Sequence, residues 1–318
     1  MITTLHGPAN RWARLLATLG GILLLSACQS FPPPDRANAR PEQQLKVPFV
    51  AQEKYQCGPA ALAMMLQWAD RPVTAEQLVP EVWLPERKGS LGIELEAAAR
   101  ARGLMAYPVD TPDALFRELQ QGRPVLILQN LALRSLPQWH FAVVTGYRQG
   151  GERVVLHSGT HRNTVSHWNR FIRTWARADL WGFTLVAPGQ LPASATADGL
   201  FQAITPLPNS ADFWPAAVRA FPDSGQLWFG QGNALWAAGH YARATTAFEK
   251  ATEKAPDLAA AWNNLAYAYN QAGQLQAARD SICQARRLAP DDAAIADSMA
   301  EILGQSDPAS ACASSPAG

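Results

Sequence analysis

The chain has almost no excess of charge of either sign: 27 lysines and arginines face 26 aspartates and glutamates, and charged residues make up 17% of its 318 positions. A nucleic-acid or acidic-surface partner would favour a clustered basic excess, so this balance argues against both. Cysteine is scarce, with four residues at positions 28, 57, 283 and 312, and their spacing forms neither a disulfide framework nor a zinc site. The run from Leu15 to Leu25 is apolar but too short to span a bilayer comfortably as a permanent helix. His157, His161 and His167 lie close together, yet they match no compact metal-ligand pattern and no Cys or paired carboxylate accompanies them. No metal or other cofactor is expected.

What is present begins with an export signal. Arg11 and Arg14 precede the apolar run, and the small residues Ser26 and Ala27 follow it, the layout of a secretory signal over residues 1–27. The continuation Leu25-Ser26-Ala27-Cys28 resembles the bacterial lipobox. That resemblance implies that Cys28 becomes the lipidated first residue of the mature chain, held to a membrane without a spanning helix. Gln29 follows it, where an inner-membrane retention signal would have Asp. Analogy with lipoproteins then favours the outer membrane, facing the periplasm. An exported compartment permits disulfides, which leaves a Cys283–Cys312 bond open.

The length suits about two domains. Residues 28–44, with Phe31-Pro32-Pro33-Pro34 and no apolar period, read as a stiff spacer. Residues 45–189 mix helices over 58–69, 93–103 and 112–121 with strands over 124–128, 141–147, 154–156 and 183–186, an α+β pattern. The stretch HRNTVSHWNRF, with Trp168, Phe171 and Trp175, is read as the rim and last strands of this domain. Residues 190–208 are rich in Pro, Ala, Ser and Thr and read as a linker.

Residues 209–305 hold an internal repeat, and 306–318 read as a disordered tail. A shift of 34 residues places Trp228 on Trp262, Gly239 on Gly273, Ala244 on Ala278, Phe248 on Ile282 and Pro256 on Pro290. The pattern resembles the tetratricopeptide (TPR) consensus at its own period. It implies an all-α solenoid with full repeats at about 225–258 and 259–292, a degenerate earlier unit at Trp214, Ala217 and Pro222, and a capping helix over 291–304. In that architecture the first helix of each repeat lines the concave face, which assigns Phe229, Asn233, Trp236, Asn263, Tyr267 and Asn270 to a partner groove. No Lys or Arg lies on those helices, so a peptide held by aromatic packing and amide hydrogen bonds fits better than an acidic carboxyl terminus.

The stretch PFVAQEKYQCGPAALAMML, residues 48–66, carries the chemistry. Pro59 suits the first turn of a helix, so Cys57 sits at a helix start, where free N–H groups and the macrodipole favour a thiolate. Gly58 leaves room for a substrate at the sulfur. Gln52 is in reach to complete an oxyanion hole with the Cys57 N–H, with Gln56 as a lesser candidate. His140 opens the strand WHFAVVTGY and is the candidate base. Gln, then Cys-Gly opening a helix, then a distant His on HFAVV is similar to the papain-like peptidases that process double-glycine bacteriocin leaders. The resemblance covers about residues 45–187. It implies Cys57 as nucleophile, His140 as base and Gln52 as oxyanion donor. That family's third residue is an Asp on the next strand, whereas Val154-Val155-Leu156-His157-Ser158-Gly159 has no carboxylate. Ser158 or a backbone carbonyl stands in as orienter of His140. A lipid-anchored cysteine peptidase that recruits a protein or peptide partner through its repeats is therefore expected. The alternatives are a weak or inactive peptide-binding scaffold and a thiol amidase or transferase.

Overall fold

The computed structural model describes residues 41–304 and Cys312. The signal, Cys28 and the Pro-rich spacer lie outside the described residues, as does the tail apart from Cys312. Among the described residues no helix is long and apolar enough to cross a membrane.

The N-terminal domain is α+β, as the pattern implies. Its sheet contains β1 (Gln43–Gln44), β2 (Met105–Pro108), β3 (Val125–Asn130), β4 (Trp139–Arg148), β5 (Arg153–Ser158), β6 (His161–His167) and β7 (Gly182–Val186). The order is β2-β7-β3-β4-β5-β6, with β1 paired to β4. Residues of β3 and β4 are almost all buried because both sheet faces are covered, and side chains alternate between two cores. Leu126, Phe141, Val143, Phe183 and Leu185 pack on α1 (Cys57–Trp68), α2 (Ala75–Val82) and α3 (Gly92–Ala101). Val125, Ile127, Ala142, Val144 and Val154 pack on α4 (Pro112–Gln120) and α5 (Trp168–Ala176).

Two sequence expectations need correction here. Trp168–Ala176 is a helix, because Trp168, Phe171, Ile172 and Trp175 recur at i, i+3, i+4 and i+7 and bury one face. The stretch 190–208, expected as a linker, contains α6 (Ala197–Ile204), capped by the Thr196 side chain. Leu200, Ile204 and Leu207 are buried against Met105, Tyr107 and Val186 of the sheet and against Trp214 and Leu227 of the repeats. Thr196 donates its N–H to the Tyr107 hydroxyl at 3.1 Å. The buried Glu118 carboxylate accepts the N–H and hydroxyl of Ser194 at 2.7 Å each. A polar composition hid a docking segment whose few apolar residues all face inward.

The C-terminal region consists of α7 (Trp214–Ala220), α8 (Gly225–Ala237), α9 (Tyr241–Lys254), α10 (Ala259–Gln271), α11 (Leu275–Leu288) and α12 (Ala293–Leu303). The 34-residue shift has physical equivalents. Gly239 and Gly273 end α8 and α10 at φ of 76° and 73°, a left-handed position that glycine adopts without steric cost. Trp228 and Trp262 donate their indole N–H to the carbonyls of Pro222 and Pro256, at 2.8 and 2.9 Å.

Cys283 on α11 is disulfide-bonded to Cys312, with the Cα atoms 5.5 Å apart. Cys312→Ser is expected to lower the stability of the last repeat by about 2–4 kcal/mol. Denaturant unfolding under non-reducing conditions measures it, and a reductant should destabilise the wild type equally while leaving the variant unchanged.

Candidate active site

Every residue of α1 from Gly58 to Leu66 is buried, so the helix is fixed on all sides. Gln56, which precedes it, makes no side-chain cap, which leaves the first-turn N–H groups free to face the sulfur of Cys57. The thiol also receives the backbone N–H of Phe141, the residue that follows His140 on β4. Contact between α1 and β4 therefore brings nucleophile and candidate base together. Both line one cavity of about 640 Å³, shared with Gln52, Tyr55, Ser90, Gln138 and Trp139.

His140 Nε2 lies 2.8 Å from Ser158 Oγ on β5. Register explains the meeting, since Ser158 pairs with Ala142, two residues along β4 from His140 and within diagonal reach across the ladder. In the tautomer that puts the proton on Nε2, Nδ1 keeps its lone pair. Ser158 is thus the hydrogen-bond partner of His140 Nε2. A hydroxyl is a neutral acceptor, so Ser158→Ala is expected to lower kcat/KM only about ten-fold, within the usual worth of one neutral hydrogen bond. Steady-state hydrolysis measures it, and Ser158→Asp should raise the rate by stabilising the imidazolium.

Gln52 donates its backbone N–H to the carbonyl of Gly159 at 3.2 Å, which fixes it beside the Ser158 strand end and in the cavity wall. Gln56 does not line the cavity. Contrary to the sequence expectation, the space beside Gly58 is not left for substrate but is filled by Ser90. A Cβ there would strike the Ser90 side chain, so glycine lets the turn after α2 close against the nucleophile. His157 is buried with both nitrogens engaged: Nε2 donates to the Val47 carbonyl at 3.2 Å and Nδ1 accepts the Asn163 N–H at 3.2 Å.

The electrostatics depart from expectation. Burial is the largest effect on Cys57 and pushes its thiol up, against the opposing pull of the N–H groups of Phe141, Gly58 and Cys57 itself. Burial likewise pushes the His140 imidazole down. Desolvation outweighs the helix start, and burial favours the neutral form of each group. Sequence reasoning also missed Tyr55, Arg87, Lys88, Ser90, Gln138 and Trp139, which line the cavity from turns it left unread. Tyr55 sits at φ 67°, a strained position of the kind that gathers at functional sites.

The repeat residues divide. Trp236 and Tyr267 line a cavity of about 370 Å³ with Phe248 and Asn264. Asn264 was not anticipated. It donates to Asn233 Oδ1 at 2.7 Å and accepts from Asn263 Nδ2 at 3.2 Å. Phe229 is not among the lining residues of this cavity; it is half-buried and packs on Phe248, which is one of them, with ring centroids 6.2 Å apart. Asn270 lies outside this cavity.

Fold and site together define a papain-like thiol domain carrying a helical repeat array. Residues 44–179 match the model of the Peptidase_C39 like family, and residues 229–293 match that of the tetratricopeptide repeat. The protein thus has a C39-like peptidase domain followed by TPR repeats. Among solved structures it is similar to a C39-like peptidase from Bacillus anthracis, at 19% identity and a TM-score of 0.39, over 46% of this chain and 98% of that one. It is also similar to a double-glycine motif protease from an AMS/PCAT transporter in complex with the leader peptide, at 24% identity and a TM-score of 0.35, over 46% and 97%. The repeats resemble the first TPR of Spaghetti bound to an HSP90 peptide, at 15% identity and a TM-score of 0.29, over 34% and 81%. No curated protein matches the chain.

Proposed function

We propose that the protein is a cysteine peptidase of the bacterial cell envelope, anchored through Cys28 and supplied with a protein or peptide partner by its repeats. The carrying observation is that one cavity holds Cys57 at a helix start, His140 with its far nitrogen on Ser158, and Gln52. In this reading Sγ attacks a peptide carbonyl while its proton passes to His140 Nδ1. The oxyanion takes the Cys57 N–H and the Gln52 amide. The C–N bond then breaks as His140 returns the proton to the leaving amine, and water hydrolyses the thioester by the reverse relay. The Cys283–Cys312 disulfide supports an exported, periplasm-facing location; the outer-membrane placement rests on Gln29 alone. The cavity at Trp236, Asn264 and Tyr267 suits an extended peptide.

Incubation of wild type and Cys57→Ala with a peptide panel that includes double-glycine sequences tests this. Hydrolysis by the wild type alone is expected, with at least about a thousand-fold loss in the variant. A second reading is favoured by the lack of a carboxylate partner for His140: a peptide-holding domain without turnover. It predicts that wild type and variant bind the panel equally and that neither cleaves it.

A further inference from the structure

The residues around the cavity are arranged unevenly in charge. Arg87 and Lys88 line it from a short turn, Pro85–Arg87, in which Lys88 adopts φ 47° and Leu84 bridges Gly89. Neither makes an ion pair among the described residues. Lys54, itself outside the wall, places its ammonium 5.2 Å from the ring centroid of Tyr55. Two helices also start on the cavity, α1 at Cys57 and α3 at Gly92, and their N-termini add positive potential. No carboxylate is among the lining residues. Glu53, Glu86 and Glu94 neighbour these positions in sequence but stand outside the wall. The Ser90 hydroxyl, which does belong to it, is buried without a partner among the described residues. A buried donor left unpaired in the free protein is one that a bound acceptor can satisfy.

We infer that this cleft selects a peptide segment bearing a carboxylate close to the bond held at Cys57, read by Arg87 and Lys88. The inference rests on the peptide-binding reading of the cleft and does not need turnover. It also separates this surface from the repeat groove, whose first helices carry no Lys or Arg. Recognition of acid belongs to the peptidase domain. Both cations are exposed, so their attraction for a carboxylate is screened by salt.

The test uses the full chain carrying Cys57→Ala and short fluorescein-labelled peptides of one apolar sequence, with a single Glu or Gln scanned along it. Anisotropy titration at low ionic strength is expected to show about five- to ten-fold tighter binding of the best Glu peptide than of its Gln twin, a margin that shrinks with added salt. Arg87→Glu with Lys88→Glu should reverse that order, and Arg87→Gln with Lys88→Gln should flatten it. All four variant side chains sit on an exposed turn, and unchanged thermal unfolding checks the fold. Failure of every Glu peptide to outbind its Gln twin, weak or absent binding included, overturns the inference. So does a Glu preference that survives charge reversal. A wild-type chain that prefers the Glu peptides yet never cleaves them would instead remove the hydrolytic reading and leave this one standing.

Discussion

His140→Ala is expected to lower kcat/KM for peptide hydrolysis by about 10²–10⁴, the usual worth of a positioned general base, and to slow alkylation of Cys57 by iodoacetamide at neutral pH. Burial favours the neutral form of both the thiol and the imidazole. With the thiolate thus disfavoured, the proposed mechanism requires the nucleophile to be made as substrate arrives, with His140 taking the proton. Wild-type labelling should therefore rise with pH and reach half its limit above the ordinary thiol value of 9.0. The helix start alone had suggested the opposite. The imidazole remains neutral below its ordinary value of 6.5, so the acid limb of kcat/KM should lie lower than that. Stability follows the same two groups. The folded state keeps the thiol proton that the unfolded chain has lost, so this contribution falls as pH rises past 9.0. It refuses the imidazole proton that the unfolded chain takes up, so stability also falls as pH drops below 6.5. Equal labelling and equal hydrolysis in His140→Ala and wild type would show that the two residues do not work together.

Ile204→Asp is expected to cost about 4 kcal/mol or more, the range reached when a core side chain is replaced by an unpaired buried charge. Ile204 is fully buried in a cluster that includes strands β2 and β7, helix α6 and the first repeat helices. One continuous core thus joins the peptidase sheet to the solenoid. Wild-type protein should unfold as a unit in the 189–228 region and resist limited proteolysis there. The variant should be cut between residues 189 and 208 and lose near-ultraviolet signal from Trp214 and Trp228. A flexible linker would tolerate the same substitution, so an unchanged melting point and an unchanged digest would refute the shared core.

Legibility in the sequence followed the range of the interactions involved. Pro59 after Cys57-Gly58 announced the helix start, and the run of small and apolar residues to Leu66 announced its burial. HFAVV gave β4 through β-branched and aromatic residues. The 34-residue period gave the paired helices, because each repeat meets the same neighbours and so needs the same side chains. Segments whose structure depends on distant partners stayed hidden. Helix α2 is the exception: its capping box between Thr74 and Gln77 is local, but Pro80 inside it masks the helical pattern. The Pro85–Arg87 turn has no periodicity to read. Asn264 went unread beside Asn263 because helical spacing alone does not tell which of two adjacent amides turns into the cavity.

The local sequence by itself determined the catalytic candidates, the α+β class and the repeat period, since these rest on residue type, spacing and contacts close along the chain. Three matters were decided only by tertiary structure. Sheet register brought Ser158 to His140 across two strands. Burial in the closed cleft reversed the direction in which the Cys57 thiol was expected to shift, because desolvation depends on everything packed around a group. Finally, Leu200, Ile204 and Leu207 turned a polar stretch into a joint, because only the folded sheet and solenoid offer those side chains a common place away from water.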